Sequence, residues 1–202
     1  MAAASGHVVI ACDKFKGSLT ATEVAEAIRE GVQAAAPGRE IRAVLVADGG
    51  DGTLAAAESV GFRHIPLTVA GPTGQPNRSG YAVRDGSAVV EMADACGIVH
   101  LPGGVKAPLT ATSRGLGEAL AAALDDPSVR SVVMGIGGSA STDGGAGMLA
   151  ALGARLLDGA GQELADGGAA LADLETLDLS GLHPRLGEVA LTVACDVNNP
   201  LL

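Results

Sequence analysis

Val8-Val-Ile-Ala-Cys12, Thr20-Ala-Thr-Glu23 and Ile41-Arg-Ala-Val-Leu-Val-Ala47 follow one another along the chain, and their order decides the fold. The first run is short and β-branched, as a buried strand is. Thr20-x-x-Glu23 has the spacing of a capping box, which predicts a helix start. Val24, Ile28, Val32 and Ala35 then recur at helical spacing and give one apolar stripe. Pro37-Gly38 stops that helix, and Ile41 to Ala47 forms the next strand. Strand, helix, strand in this order predicts a parallel βαβ unit with a right-handed crossover. The fold class is therefore α/β.

Outward from this unit, Thr53 to Ser59 reads as a helix. Ile65–Ala70, Gly80–Val83 and Ser87–Met92 are short strands, and Asp85-Gly86 between the last two is a hairpin signal. An antiparallel element is expected there, with a second domain starting near residue 65. Leu116, Leu120 and Leu124 restore helical spacing, closed by Asp126-Pro127. A strand follows at Ser131–Met134, then a Gly/Ser/Thr-rich loop and a helix up to Leu152-Gly153. Gly161–Leu186 shows no clear period, and Val189–Cys195 is a last strand. Asn199-Pro200-Leu201-Leu202 is an apolar end directly after a core-like strand, so a continuation past residue 202 is expected.

Composition narrows the function. Hydrophobic residues make up 48 %, with no Trp, one Tyr and two Phe, so the core must be built from Ala, Val, Leu and Ile. A mean hydropathy of +0.34 favours a packed, soluble domain over a disordered acidic chain. Net charge is −10 and Lys and Arg never cluster, which removes the cationic footprint that nucleic acid requires. No apolar run approaches a membrane span, and no basic leader precedes an apolar one. Cys12, Cys96 and Cys195 lack CxxC spacing, so reduced thiols and a cytoplasmic location are expected.

Polar residues concentrate after the strands, where open α/β sheets bind ligands. Asp13-Lys-Phe-Lys-Gly-Ser18 follows the first strand and Asp48-Gly-Gly-Asp-Gly-Thr53 the second. Gly135-Ile-Gly-Gly-Ser-Ala-Ser-Thr-Asp-Gly-Gly145 follows the strand at 131–134, and Asp196-Val-Asn-Asn199 follows the last. Each could be a plain turn or helix cap. The 135–145 loop carries most weight, because its glycines allow close backbone approach and Ser139, Ser141 and Thr142 add hydroxyl donors for an anion. Lys16 suits a phosphate or carboxylate, or is a surface lysine. Asp48 and Asp51 could hold Mg²⁺ or cap the helix from Thr53. Asp196 could be a general base or an Asx-turn residue. Arg114, in Thr110-Ala-Thr-Ser-Arg-Gly-Leu-Gly-Glu118, could clamp a carboxylate or lie at the surface.

There is no GxxxxGK[ST] and no HRD or DFG set, which excludes P-loop NTPases and protein kinases. A competing reading is a nicotinamide-dependent oxidoreductase. Gly135-x-Gly137-x-x-Ala140 follows a strand, and Asp158 stands where a ribose hydroxyl ligand would be. That reading leaves the loops at Asp13, Asp48 and Asp196 unused. A folded but inactive fragment is the third.

The segments 13–19, 47–53, 112–118, 135–147 and 194–201 together resemble the glycerate kinase family of the bacterial type, in order and spacing, across the whole chain. The resemblance implies ATP-dependent, Mg²⁺-dependent phosphorylation of D-glycerate, usually at the 2-hydroxyl, which gives 2-phosphoglycerate. It implies two α/β domains around a cleft, one a flavodoxin-like parallel sheet assembled from distant segments and one with a mixed sheet. On that pattern residues 1–65 are the first segment of the discontinuous domain and 66–202 form the second. Members are longer than this chain, which agrees with a truncated C-terminus. ATP phosphates are expected on Gly137, Gly138 and Ser139, helped by Ser141 and Thr142, with Mg²⁺ near Asp48 or Asp51. Lys16 would neutralise charge, and Asp196, with Asp13 second, would take the hydroxyl proton. Ser18, Arg114 and Asp143 are the expected substrate contacts. Asp51 stands where Glu is commoner in the family, and Arg114 where an aromatic is common. Oligomeric state is left open.

Overall fold

The computed structural model describes residues 6–13, 15, 18–195 and 197. They fall into two compact units, Met1–Ala47 and Asp48–Leu202.

In the first unit, β1 (Val8–Cys12) and β2 (Ile41–Leu45) pair in parallel, from Val8 opposite Ile41 to Cys12 opposite Leu45. Helix α1 (Ala21–Ala35) connects them. Its start is the expected capping box: Thr20 Oγ1 accepts from Glu23 N–H at 3.2 Å, and Glu23 Oε2 accepts from Thr20 N–H at 2.7 Å. β2 ends at Leu45 and not at Ala47, because the ladder stops where β1 stops. Ile10, Val24 and Ala25 are buried, whereas Val9 and Val44 are 54 % and 47 % exposed.

The second unit is built on a five-stranded mixed sheet. Helix α2 (Thr53–Ser59) precedes β3 (Arg63–Ala70), β4 (Pro76–Arg84) and β5 (Ser87–Glu91), which form the expected antiparallel meander. Asp85 and Gly86 have φ of 50° and 81°, the left-handed pair that a two-residue hairpin turn needs. Helix α3 (Met92–Cys96) starts directly where β5 stops. After α4 (Arg114–Asp125) comes β6 (Ser131–Gly135), parallel to β5. Helix α5 (Ala146–Ala151) and a small antiparallel pair, β7 (Arg155–Leu157) with β8 (Thr176–Asp178), lead to β9 (Ala190–Ala194), parallel to β6. The sheet order is β3-β4-β5-β6-β9. The unpatterned stretch 161–186 holds two 3₁₀ turns, Gly168–Asp173 and the start of Pro184–Gly187, on either side of β8, with irregular chain between.

Both sheet faces are covered. Leu116, Leu120 and Leu124 of α4 are at most 1 % exposed and pack with Val69, Tyr81, Val83, Val90, Val132 and Met134. Each buried Leu is worth about 1.5–3 kcal/mol, so this stripe is a large contributor to the unit's core. Leu54 of α2 packs with Ala82 and Val89 on the other face. The parallel strands β5, β6 and β9 thus end together at one edge.

Candidate active site

Residues 48–52 lie across that edge. Asp48 Oδ1 accepts from Gly50 N–H at 2.9 Å, an Asx turn that folds the loop on itself. Gly49 is buried with φ of 94°, and a Cβ there would sit 2.4 Å from the Ala194 carbonyl at the end of β9. Gly137 N–H, just past the end of β6, donates to Gly49 O at 2.9 Å. Glu91, the last residue of β5, accepts from Gly52 N–H at 2.9 Å and Leu54 N–H at 2.7 Å. Three strand ends therefore hold one short loop, and within this unit the expected common edge is present.

Glu91 is only 4 % exposed. Burial raises its pKa; the bonds from Leu54 and Gly52 oppose that, while the charges of Asp94 and Asp51 add to it. Sequence reasoning missed this residue. Its one signal is an acidic side chain closing the apolar run Ala88-Val-Val90.

The 135–145 loop is more self-satisfied than its composition suggests. Besides Gly137, Ile136 N–H donates to Ala194 O, Ala140 N–H to Cys96 O, and Thr142 N–H to Ala111 O. Ser141 N–H donates to Ser139 Oγ at 2.9 Å, and the two serine hydroxyls are 2.7 Å apart. Thr142 Oγ1 donates to Pro108 O at 2.8 Å. The part of the loop nearest the acidic residues is Gly138, where a Cβ would lie 2.6 Å from Asp51 Oδ1.

Asp143, expected to touch substrate, is instead 1 % exposed and surrounded by donors. Its Oδ2 accepts from Ser113 N–H at 2.8 Å, Ser113 Oγ and Gly147 N–H at 3.0 Å, and Thr112 Oγ1 at 3.3 Å; Oδ1 accepts from Gly145 N–H at 3.1 Å. It joins the entries of α4 and α5. Arg114 also has a partner in place, since its fork pairs with Asp166 at 2.6 and 2.7 Å. That pair holds the guanidinium pKa up. Nothing in the sequence marks Asp166. Ser18 and Asp13 are exposed in the first unit, where the Ser18 hydroxyl donates to Phe15 O at 3.1 Å. Lys16 and Asp196 lie outside the described residues.

Among the described residues no three His, Cys, Asp or Glu side chains form a metal cage, and no buried side-chain nitrogen or oxygen lacks a partner. A cage of that kind is not what Mg²⁺-nucleotide needs, because Mg²⁺ takes one or two carboxylates and completes its shell with phosphate and water. Asp48 is exposed and Asp51 half-buried beside the Gly138 backbone, so the donor set fits that group.

The dinucleotide reading is not favoured. Its glycines should open directly into a helix. Here α5 starts only at Ala146, and Asp158 sits in a turn, accepting from Ala160 and Gln162 N–H. No helix among the described residues is long and apolar enough to cross a membrane.

Thiol chemistry offers a direct check on the geometry. Cys96 is fully buried, and burial pushes its thiol up to about 11, whereas Cys195 is exposed. Iodoacetamide at roughly pH 8 should label Cys195 and spare Cys96, because the thiolate is the nucleophile. Equal labelling of both in the folded protein, read by peptide mass spectrometry, would contradict the placement of α3.

The glycerate kinase family model matches residues 8–202. A glycerate kinase of Bacillus subtilis is 49 % identical over 197 residues, covering 96 % of this chain and 51 % of that protein. A glycerate 2-kinase of Escherichia coli is 44 % identical, covering 96 % and 52 %. A crystal structure from Salmonella typhimurium LT2, provisionally named glycerate kinase 2, superposes with a TM-score of 0.81 at 44 % identity, covering 96 % of this chain and 53 % of that one. The chain spans about half the length of the curated relatives it matches. It belongs to the glycerate kinase family.

Proposed function

We propose that the protein carrying this chain transfers a phosphoryl group from ATP to D-glycerate, at the 2-hydroxyl, with Mg²⁺. The observation that carries the reading is the meeting of loop 48–52 with Gly137 and Gly138 at the ends of β5, β6 and β9, in a chain of this family. Phosphoryl transfer needs positioning and charge neutralisation more than covalent chemistry. Bound Mg-ATP supplies the transferable phosphoryl group and part of that neutralisation. Asp48 and Asp51 would hold the metal. The backbone at Gly138 and Ser139, with the hydroxyls of Ser139 and Ser141, would face the phosphates; the Thr142 hydroxyl would join them only by giving up its bond to Pro108 O. Gly137 contributes close approach and not a donor, since its N–H is committed.

Lys16 would neutralise charge on the transferred group or on the glycerate carboxylate. Asp196 would accept the hydroxyl proton, with Asp13 as the second candidate. Ser18 would contact substrate. Asp143 and Arg114 enter as positioning residues, given their partners. The exposed face of β1 and β2 supports a first domain to which further chain adds; it begins with Met1–Ala47 and not with residues 1–65, because α2 packs on the sheet of the second unit. Free cysteines support a cytoplasmic location.

The test is ADP release from Mg-ATP in the presence of D-glycerate, with the natural full-length polypeptide beside the 202-residue chain. Glycerate-dependent release is expected from the longer protein, and its absence would sink the reading. Asp196→Asn and Lys16→Ala should each slow turnover about a hundredfold, the scale of a lost proton acceptor or charge contact. Unchanged rates would reject those two roles. Product analysis distinguishes 2- from 3-phosphoglycerate.

A further inference from the structure

We infer that Glu91 is a positioning residue that presents Asp51 to the nucleotide-bound metal, an inference that rests on the function proposed above. Asp51 lies between two anchored glycines. On one side Gly50 N–H is held by Asp48 Oδ1. On the other, Gly52 N–H and Leu54 N–H are held by the two oxygens of Glu91. Glu91 is thirty-nine residues away from Gly52 along the chain, so no local turn preference explains the contact. Its own backbone is fixed in the centre of the sheet, opposite Gly135 of β6.

The arrangement does more than end a helix. A helix of seven residues that follows a glycine could be capped by a Ser or Asp at its own N-terminus, as α1 is by Thr20. Here the cap comes from the strand whose neighbour, β6, leads into the glycine loop. The carboxylate and Gly137 thereby grip the same loop from adjacent strands, and the Asp51 carboxylate is left beside Gly138. A neutral amide cannot reproduce the grip. In Glu91→Gln one oxygen becomes an NH₂ group, which opposes an N–H donor with another donor.

The test follows binding and not turnover. Mg-ATP is titrated into the 202-residue chain while the amide cross-peaks of Gly50, Asp51, Gly52 and Leu54 are recorded by NMR. The midpoint for Glu91→Gln should rise about tenfold or more, as expected for an outer-shell partner of a metal site. Val129→Ala is the control, because it trims the buried core just before β6, at the opposite end of the strands from the loop. Its midpoint should stay within about twofold of the parent's, since groups that share no partners with the loop act independently of it. Equal midpoints for Glu91→Gln and the parent would overturn the inference. So would a Val129→Ala shift as large, or no response of the parent chain. The parent reading fails separately. A shifted midpoint in Glu91→Gln, without glycerate-dependent ADP release from the full-length protein, would leave Glu91 standing and remove the kinase.

Discussion

Asp143→Ala should lower the unfolding free energy of the chain by about 3–5 kcal/mol, the scale of leaving several buried neutral donors without their acceptor. The carboxylate is 1 % exposed and collects the N–H groups of Ser113, Gly145 and Gly147 with the hydroxyls of Thr112 and Ser113. Removing it leaves those donors buried, and each unsatisfied donor costs roughly 1–3 kcal/mol unless water enters. Asp143→Asn should recover only part of the loss, because one of its two polar atoms becomes a donor facing donors. Urea unfolding of the three proteins measures this directly. A loss below about 1 kcal/mol would mean that the network is hydrated, the usual outcome at exposed pairs. A residue built this way cannot easily turn to a ligand.

Gly49→Ala should cost about 3 kcal/mol, because overpacking and a disfavoured backbone add at one position. The new methyl group would stand 2.4 Å from Ala194 O and 2.7 Å from Ala194 C, on a backbone with φ of 94°. Gly52 is the natural comparison. Its φ is 93°, but nothing lies within 4 Å of a Cβ there. Gly52→Ala should therefore cost only about 1 kcal/mol, the backbone part alone. The difference between the two melting curves isolates the close approach of loop 48–52 to β9. Equal losses would show that the loop is not pressed against that strand. Relief of the clash must push the loop outward, so on the function proposed above Mg-ATP binding should weaken in Gly49→Ala along with stability.

These residues also mark what the sequence could reveal. Local patterns were legible wherever neighbours in sequence are neighbours in space. The Thr20–Glu23 box, the Asp85-Gly86 turn and the Leu116, Leu120, Leu124 stripe all appear as expected. The gathering of Gly-rich loops at one sheet edge followed from strand order and holds within the second unit. Illegible features depend on distant partners. Glu91 reaches back to Gly52, Arg114 forward to Asp166, and Asp143 back to Thr112 and Ser113. Helix α3 escaped notice because it is five residues long, continues β5 without a break and has no side-chain cap. The 161–186 stretch showed no period because 3₁₀ turns and a three-residue strand impose none.

Tyr81 has an optical consequence. It is the only tyrosine of the 202 residues, which hold no Trp, and it sits on β4, 5 % exposed, in the core that α4 covers. Tyrosine emission, excited beyond the phenylalanine absorption band, therefore watches residues 48–202 alone, whereas amide circular dichroism sees helices and strands of both units. The separation of those two signals on heating is a measure of how far the units Met1–Ala47 and Asp48–Leu202 melt as one.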